Sequence, residues 1–184
     1  MQKSVEVRNA TLDAQETAIG ASPIMRILTG AMPASTATAQ AGTVVATLAL
    51  PSDWMAAASG GVKSKLGTWE DVAADAGGLA SYYRILQNDG SKCHLQGLVS
   101  QPWAASTSFV VGQQVNADSG KVYKCTTAGT SAASGGPAGT GASITDGGCV
   151  WQYIGVVELI LDNTNFALGQ AFAISSYSWT AGNA

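Results

Sequence analysis

The sequence predicts a mainly β protein with one short helix near its N-terminus. Short segments of alternating apolar and polar residues recur along the chain, separated by turn-forming residues. Glycine accounts for 22 of the 184 residues, which is typical of a fold with many tight turns. Many short strands with few helices favour an antiparallel β-sandwich or jelly roll over an α/β fold.

The predicted elements follow in chain order. Residues 9–19 (NATLDAQETAI) form the predicted helix, because Asn or Thr can cap its start, acidic side chains occupy its early turns and Gly20 stops it. Seven later segments are predicted strands: residues 23–28, 42–50, 66–70, 80–86, 92–99, 157–161 and 171–179.

The clearest supersecondary signal is a β-hairpin. Residues 80–86 (ASYYRIL) alternate into the turn Asn88-Asp89-Gly90, and a second alternating segment begins at Lys92. An Asp-Gly pair tolerates the positive φ that a tight hairpin turn requires. The sequence therefore predicts antiparallel pairing of residues 80–86 with residues 92–99.

The composition of the sequence changes between residues 101 and 155, where a long glycine-rich connection occupies residues 128–148. Removing this stretch would bring the strand that ends near Val99 close in sequence to the strand that begins near Val157. Hairpin tips tolerate insertions because their ends already lie near each other. We therefore predict a discontinuous host domain, residues 1–100 plus 156–184, with a small β module, residues 101–155, inserted at a hairpin tip.

The charge composition argues against several classes of function. Charged residues make up 11% of the chain, against about 25% in a typical soluble domain. Such a neutral surface costs little to bury against a protein partner. With a net charge of −3 the chain has few cations to neutralise phosphates, so we expect no nucleic-acid ligand. It has no secretory signal or run of about 18 apolar residues, so we expect synthesis in a cytoplasm and no membrane association.

Residues that could perform catalysis or hold a metal are scarce. The only histidine, His94, lies in a predicted strand without a second histidine or a CxxC pair at zinc-ligand spacing. Six acids lie in the predicted helix, turns and a loop, where we expect solvated or capping roles: Asp13, Glu16, Asp53, Glu70, Asp71 and Asp75. We therefore expect no enzyme, no cofactor and no metal site.

Two cysteines occupy matching places on two predicted strands of the module. Cys125 follows Tyr123 by two residues, and Cys149 precedes Trp151 by two. The two thiols would share one sheet face if these strands pair. Two interpretations remain open: a disulfide formed after cell lysis, or two packed free thiols.

Four aromatic residues of the module are candidates for contact with a glycan or for the module's core: Trp103, Tyr123, Trp151 and Tyr153. Aromatic faces can stack on the apolar faces of pyranose rings. The same rings supply the buried area that a module of about 55 residues needs for stability. An exposed binding platform and a buried core therefore both remain open for these side chains.

Six groups of residues in the host domain carry a likeness to known proteins: 50–61 (LPSDWMAAASGG), 66–69 (LGTW), 93–97 (CHLQG), 161–163 (LDN), 169–170 (GQ) and 180–184 (TAGNA). In these residues the host domain resembles tailed-phage virion proteins, mainly head decoration or cement proteins. The resemblance implies a virion protein on the outer surface of the head, where it binds the major capsid protein as a symmetric dimer or trimer.

The inserted stretch carries a second likeness, in Trp103, residues 109–115 (FVVGQQV), residues 120–125 (GKVYKC), residues 129–130 (GT) and residues 151–153 (WQY). These residues resemble the small carbohydrate-binding modules attached to chitinases and repeated in phage tail and head proteins. The stretch departs from that pattern at Phe109 and Gln113, where Tyr and Asp are commoner. The resemblance implies bacterial surface polysaccharide as a further partner. It also implies an alternative function, a tail-associated carbohydrate-binding protein for host adhesion.

Overall fold

The computed structural model describes residues 1–182, so Asn183 and Ala184, which end the resemblance segment 180–184, lie outside the described residues. The fold is mainly β with one short helix, as the sequence predicts. Helix α1 spans Val5–Ile19. Within the described residues sixteen strands follow it: β1 Ile24–Thr29, β2 Val44–Ala49, β3 Val62–Ser64, β4 Glu70–Asp71, β5 Gly78–Leu86, β6 Cys93–Pro102, β7 Ser108–Phe109, β8 Gln114–Ala117, β9 Lys121–Thr127, β10 Gly129–Thr130, β11 Ile144–Asp146, β12 Cys149–Val156, β13 Leu159–Ile160, β14 Asn165–Phe166, β15 Phe172–Ala173 and β16 Ser178–Thr180.

Helix α1 begins four residues before the predicted start. Ser4 caps it, because the Ser4 hydroxyl accepts a hydrogen bond from the backbone N–H of Val7 at 3.4 Å. The side chain of Asn9 is instead used inside the helix, where it accepts from the N–H of Gly61 at 2.8 Å. The helix ends where predicted, at Gly20, whose φ of 91° suits glycine.

Ten strands form one sheet, whose main path runs β11-β12-β9-β8-β6-β5-β1-β2, with β13 on β6 and β14 on β5. The predicted hairpin is confirmed as the antiparallel pair β5–β6, in which Tyr83 lies opposite Gly97. The sheet is mixed rather than wholly antiparallel, since β6 pairs in parallel with both β8 and β13.

The host core lies between this sheet and a second layer made of two short ladders, β3–β16 and β4–β15. Predicted strand 171–179 is broken into β15 and β16, because Ile174 and Tyr177 both point into the core at a spacing of three residues. A continuous strand places only alternate residues on one face. Of the predicted strand 66–70 only Glu70 lies in a strand, β4. Leu66 lies outside the strands, and its carbonyl accepts a hydrogen bond from Trp69 Nε1 at 3.1 Å.

A second, separate hydrophobic cluster lies within the predicted module and includes Phe109, Val115 and Trp151. The division of buried residues into two clusters agrees with the predicted host and insert, whose boundaries stay a prediction. The two ends of the insert do meet, since Leu159 lies beside Val99. That pairing is parallel, so the prediction that the insert lies at a hairpin tip is wrong. Strand β13, which follows the insert, runs in the same direction as β6, which precedes it.

Candidate functional site

The four aromatic residues of the module belong mainly to its core. Trp151 and Tyr123 are fully buried, and Trp103 and Tyr153 are partly buried against them. Trp151 meets Phe109 in a T-shaped contact with ring centroids 5.1 Å apart. Of the two interpretations, core or sugar-binding platform, Trp151 and Tyr123 therefore fit the core, because their buried faces are not available to a sugar.

The side chain that organises this core is Asp146, which the sequence analysis did not single out. Its Oδ2 accepts hydrogen bonds from Trp103 Nε1 at 2.8 Å and from Trp151 Nε1 at 3.1 Å. Its Oδ1 accepts from the backbone N–H of Ala132 at 3.0 Å, and the residue is buried. One carboxylate thus joins both tryptophans to the glycine-rich connection. The available signal was a single acid in an otherwise uncharged run, residues 128–148.

The hydroxyl of Tyr123 anchors the same glycine-rich connection. It donates to the carbonyl of Gly139 at 2.9 Å, and Asp118 accepts from the N–H of Gly139 at 2.9 Å. Hydrogen bonding to Lys121 lowers the pKa of Asp118, while burial raises the pKa of Tyr123 to about 12. Tyr123 and Asp118 therefore hold the glycine-rich connection in place, and their polar atoms already have hydrogen-bond partners.

The two module cysteines share one buried face, as the sequence predicts. Strands β9 and β12 pair so that Cys125 lies opposite Trp151, and Cys149 lies two residues before that tryptophan. Both thiols are free in the structure, which matches the interpretation as packed thiols. Burial raises the pKa of both Cys125 and Cys149 and so disfavours the reactive thiolate.

His94 and two of the acids, Asp71 and Asp75, lie in structural surroundings. His94 Nε2 is buried without a hydrogen-bond partner, and burial, with a smaller effect of Lys92, lowers its pKa. Asp71 and Asp75 bind the backbone and hydroxyl of Thr47, at 3.0 and 2.7 Å. Across residues 1–182 no three His, Cys, Asp or Glu side chains cluster to hold a metal ion.

Asp13 and Glu16 have a role that the sequence did not predict, because both bind the ammonium of Lys63, although the side chain of Asp13 remains 49% exposed. Lys63 Nζ lies 2.6 Å from Asp13 Oδ1 and 2.8 Å from Glu16 Oε2, and its side chain is only 2% exposed. Asp13 also accepts from the N–H of Ala58 at 3.1 Å. A buried ammonium needs such partners, so the ion pairs attach α1 firmly to β3.

The attachment of α1 is expected to weaken in acid. The hydrogen bond from Lys63 lowers the pKa of Asp13 below its ordinary value of 3.8, so this group stabilises the fold above pH 3.8 and the contribution is lost as pH falls through the folded-state pKa. Burial opposes charge on Lys63, but its two acidic partners outweigh that effect and raise its pKa above 10.5. Its contribution is therefore present below pH 10.5.

The measurement is helical circular dichroism from about pH 7 to about pH 2 in the wild type and in Asp13→Asn. We expect a helical transition at acidic pH in the wild type, much reduced in Asp13→Asn. Identical acid transitions in the two proteins would show that Asp13 does not hold the helix.

This attachment leaves one face of α1 pointing outward, which we name the α1 stripe. Its members are exposed, uncharged and mostly apolar: Val7, Ala10, Thr11, Ala14, Gln15 and Ala18. Their spacing of three or four residues aligns them along the helix. Among the described residues no helix is both long and apolar enough to cross a membrane. Because its members are exposed, uncharged and mostly apolar, the α1 stripe is a candidate protein contact.

A groove of about 1000 Å³ opens beside the α1 stripe, between α1, β16 and the segment that leads into β13. On its inner wall the hydroxyls of Tyr83 and Tyr177 lie 2.8 Å apart, and Trp179 Nε1 donates to Tyr177 Oη at 3.0 Å. Burial raises the pKa of Tyr83, and raises that of Tyr177 to about 12, so both are neutral. Glu158 supplies a carboxylate to the lining.

Comparison with known proteins identifies no relative. No protein family, curated protein or solved structure matches the chain. The structure by itself describes a mainly β protein with two candidate surfaces, the α1 stripe and the groove.

Proposed function

We propose that the chain is a structural protein of a tailed-phage virion, a decoration protein that binds the outer surface of the head. The observation that carries the proposal is the α1 stripe, an uncharged face fixed in place by the buried ion pairs of Lys63. The resemblance of residues 50–61 and 66–69 to head decoration proteins supports the assignment to a virion. The proposed partner on the shell is the major capsid protein.

The α1 stripe suits contact with a second copy of the chain. Ala10, Ala14 and Ala18 recur every four residues, and small side chains allow a second helix to approach closely. In a symmetric oligomer each copy buries the same face. Because the stripe has no charge, burying it carries little desolvation cost.

Oligomerisation would strengthen attachment to the shell. Several weak contacts to neighbouring capsid subunits act together once the copies are joined. A protein that binds only the assembled shell stabilises it by mass action. In this arrangement the inserted module faces outward. The alternative, a tail protein that adheres to host polysaccharide through the module, has weaker support because Trp151 and Tyr123 are buried.

Replacing Ala14 by Glu is expected to separate the copies, because the change places a charge in the middle of the α1 stripe. Light scattering coupled to size exclusion should then report a monomer, where the wild type is a dimer or trimer. Co-sedimentation with phage heads that lack this protein should weaken about tenfold or more, since multivalent attachment is lost.

The matched control is Val111→Glu, which adds the same charge to an exposed position of the outward-facing module, away from α1. It should leave both the oligomer and head binding unchanged. A wild-type chain that is monomeric and does not bind heads would refute the proposal, and so would an Ala14→Glu variant that behaves as wild type.

A further inference from the structure

We infer that the groove binds a neutral oligosaccharide, so that the sugar-binding site of this chain lies in the host domain rather than in the inserted module. The groove's volume of about 1000 Å³ stands at the upper end of the range of about 300–1000 Å³ for ligand sites. It accommodates several sugar rings.

One wall of the groove presents an immobilised aromatic ring. Trp179 is partly exposed and is held by T-shaped contacts with Trp54 and Tyr177, at centroid distances of 5.3 and 6.3 Å. Its Nε1 is also fixed by the hydroxyl of Tyr177. A ring held in this way can stack on a sugar without losing side-chain freedom on binding.

The same lining supplies a positioned hydrogen-bond acceptor. The exposed Glu158 accepts from the backbone N–H of Leu98 and lies directly over Gly97, where an added Cβ would come within 1.5 Å of Glu158 Oε2. Glycine at position 97 therefore makes room for this carboxylate. Partial desolvation raises the pKa of Glu158, although the hydrogen bond from Leu98 opposes the shift. Sugar hydroxyls are natural donors to such a group.

The rest of the lining favours a neutral ligand over a charged polymer. Its charged members have both signs: Lys3, Lys65 and Glu158. Lys65 is already engaged, since its Nζ donates to the carbonyl of Gly67 at 2.7 Å. The exposed Ser175 and Ser176 add hydroxyl groups that both donate and accept.

The test is isothermal titration calorimetry of the full chain with four neutral hexasaccharides: cellohexaose, maltohexaose, chitohexaose and mannohexaose. We expect at least one to bind when present at about 10 mM, which saturates a site with a Kd of about 1 mM. Glu158→Gln, which keeps the side chain's shape, and Trp179→Ala should each weaken that binding about tenfold or more. Circular dichroism verifies that both variants are folded.

Two controls separate this site from the other surfaces. Tyr153→Ala changes a partly exposed module aromatic, and Ala14→Glu changes the α1 stripe; both should bind the sugar as the wild type does. Ala14→Glu also separates failure of this inference from failure of the decoration proposal, because it should weaken the oligomer and head binding while Ala14 is not part of the groove lining. No binding by any hexasaccharide, binding that survives Glu158→Gln, or binding abolished by Tyr153→Ala would each overturn the inference.

Discussion

Replacing Asp146 by Asn is expected to lower the stability of the inserted module by about 3 kcal/mol. The buried carboxylate accepts three hydrogen bonds, from Trp103 Nε1, Trp151 Nε1 and the N–H of Ala132. An Asn side chain has one acceptor oxygen and directs an NH₂ group at donors on its other side. Either the N–H of Ala132 or the two indole N–H groups would then face another donor and lose their acceptor, whichever way the amide is turned.

Urea denaturation followed by tryptophan fluorescence measures this effect. Asp162→Asn is the matched control, because it removes the same charge from an exposed position and should change stability by less than about 0.5 kcal/mol. Equal stabilities for Asp146→Asn and Asp162→Asn would contradict the role assigned to Asp146.

Replacing Trp54 by Ala is expected to destabilise the host domain by about 3–5 kcal/mol. Trp54 is fully buried and contacts the rings of Trp69 and Trp179 at centroid distances of 5.8 and 5.3 Å. Its Nε1 donates to the carbonyl of Gly20, the residue that ends α1, at 3.1 Å. The change therefore opens a cavity and also releases one end of the helix.

Thermal unfolding should record a fall in Tm of about 6–20 °C for Trp54→Ala, at about 2–4 °C per kcal/mol for a chain of this size. Trp54→Phe keeps much of the ring and loses the hydrogen bond to Gly20, so we expect a smaller fall. Little change in Tm for Trp54→Ala would mean that this tryptophan does not organise the core.

Local patterns predicted the parts of the fold that depend on local chemistry. The Asp89-Gly90 turn identified the β5–β6 hairpin, and Gly20 marked the end of α1. In β2 the predicted alternation holds from Ala46 onward, since Ala46 and Leu48 are buried while Thr47 is exposed, but Val45 is also buried at an irregularity in the pairing with β1. Each of these features involves residues close together in sequence.

Features set by distant contacts escaped prediction. The parallel pairing of β6 with β13 joins Val99 to Leu159 across the whole insert, and no local signal distinguishes it from a hairpin. Residues 171–179 have strand-like composition, yet the core takes Ile174 and Tyr177, three residues apart. Packing against the rest of the host domain decides that break.

The candidate sites show the same limit. The four module aromatics could be found from sequence, but their burial depends on Asp146, and a single acid in a loop is ordinarily solvated. Lys63 and Asp13 are 50 residues apart, so neither could be recognised as half of an ion pair. Glu158 and Trp179 come together only through the fold.

The decoration proposal rests on the α1 stripe, an uncharged helical face that is fixed in place. It also rests on polar side chains, such as Lys63 and Asp146, that bind other parts of the fold. Cryo-electron microscopy of particles of a tailed phage whose genome encodes this chain tests it most directly. The account predicts density for the chain on the outer surface of the head, at contacts between shell subunits, with α1 helices of neighbouring copies against each other. Density in the tail or inside the head, or none in the particle, would contradict it.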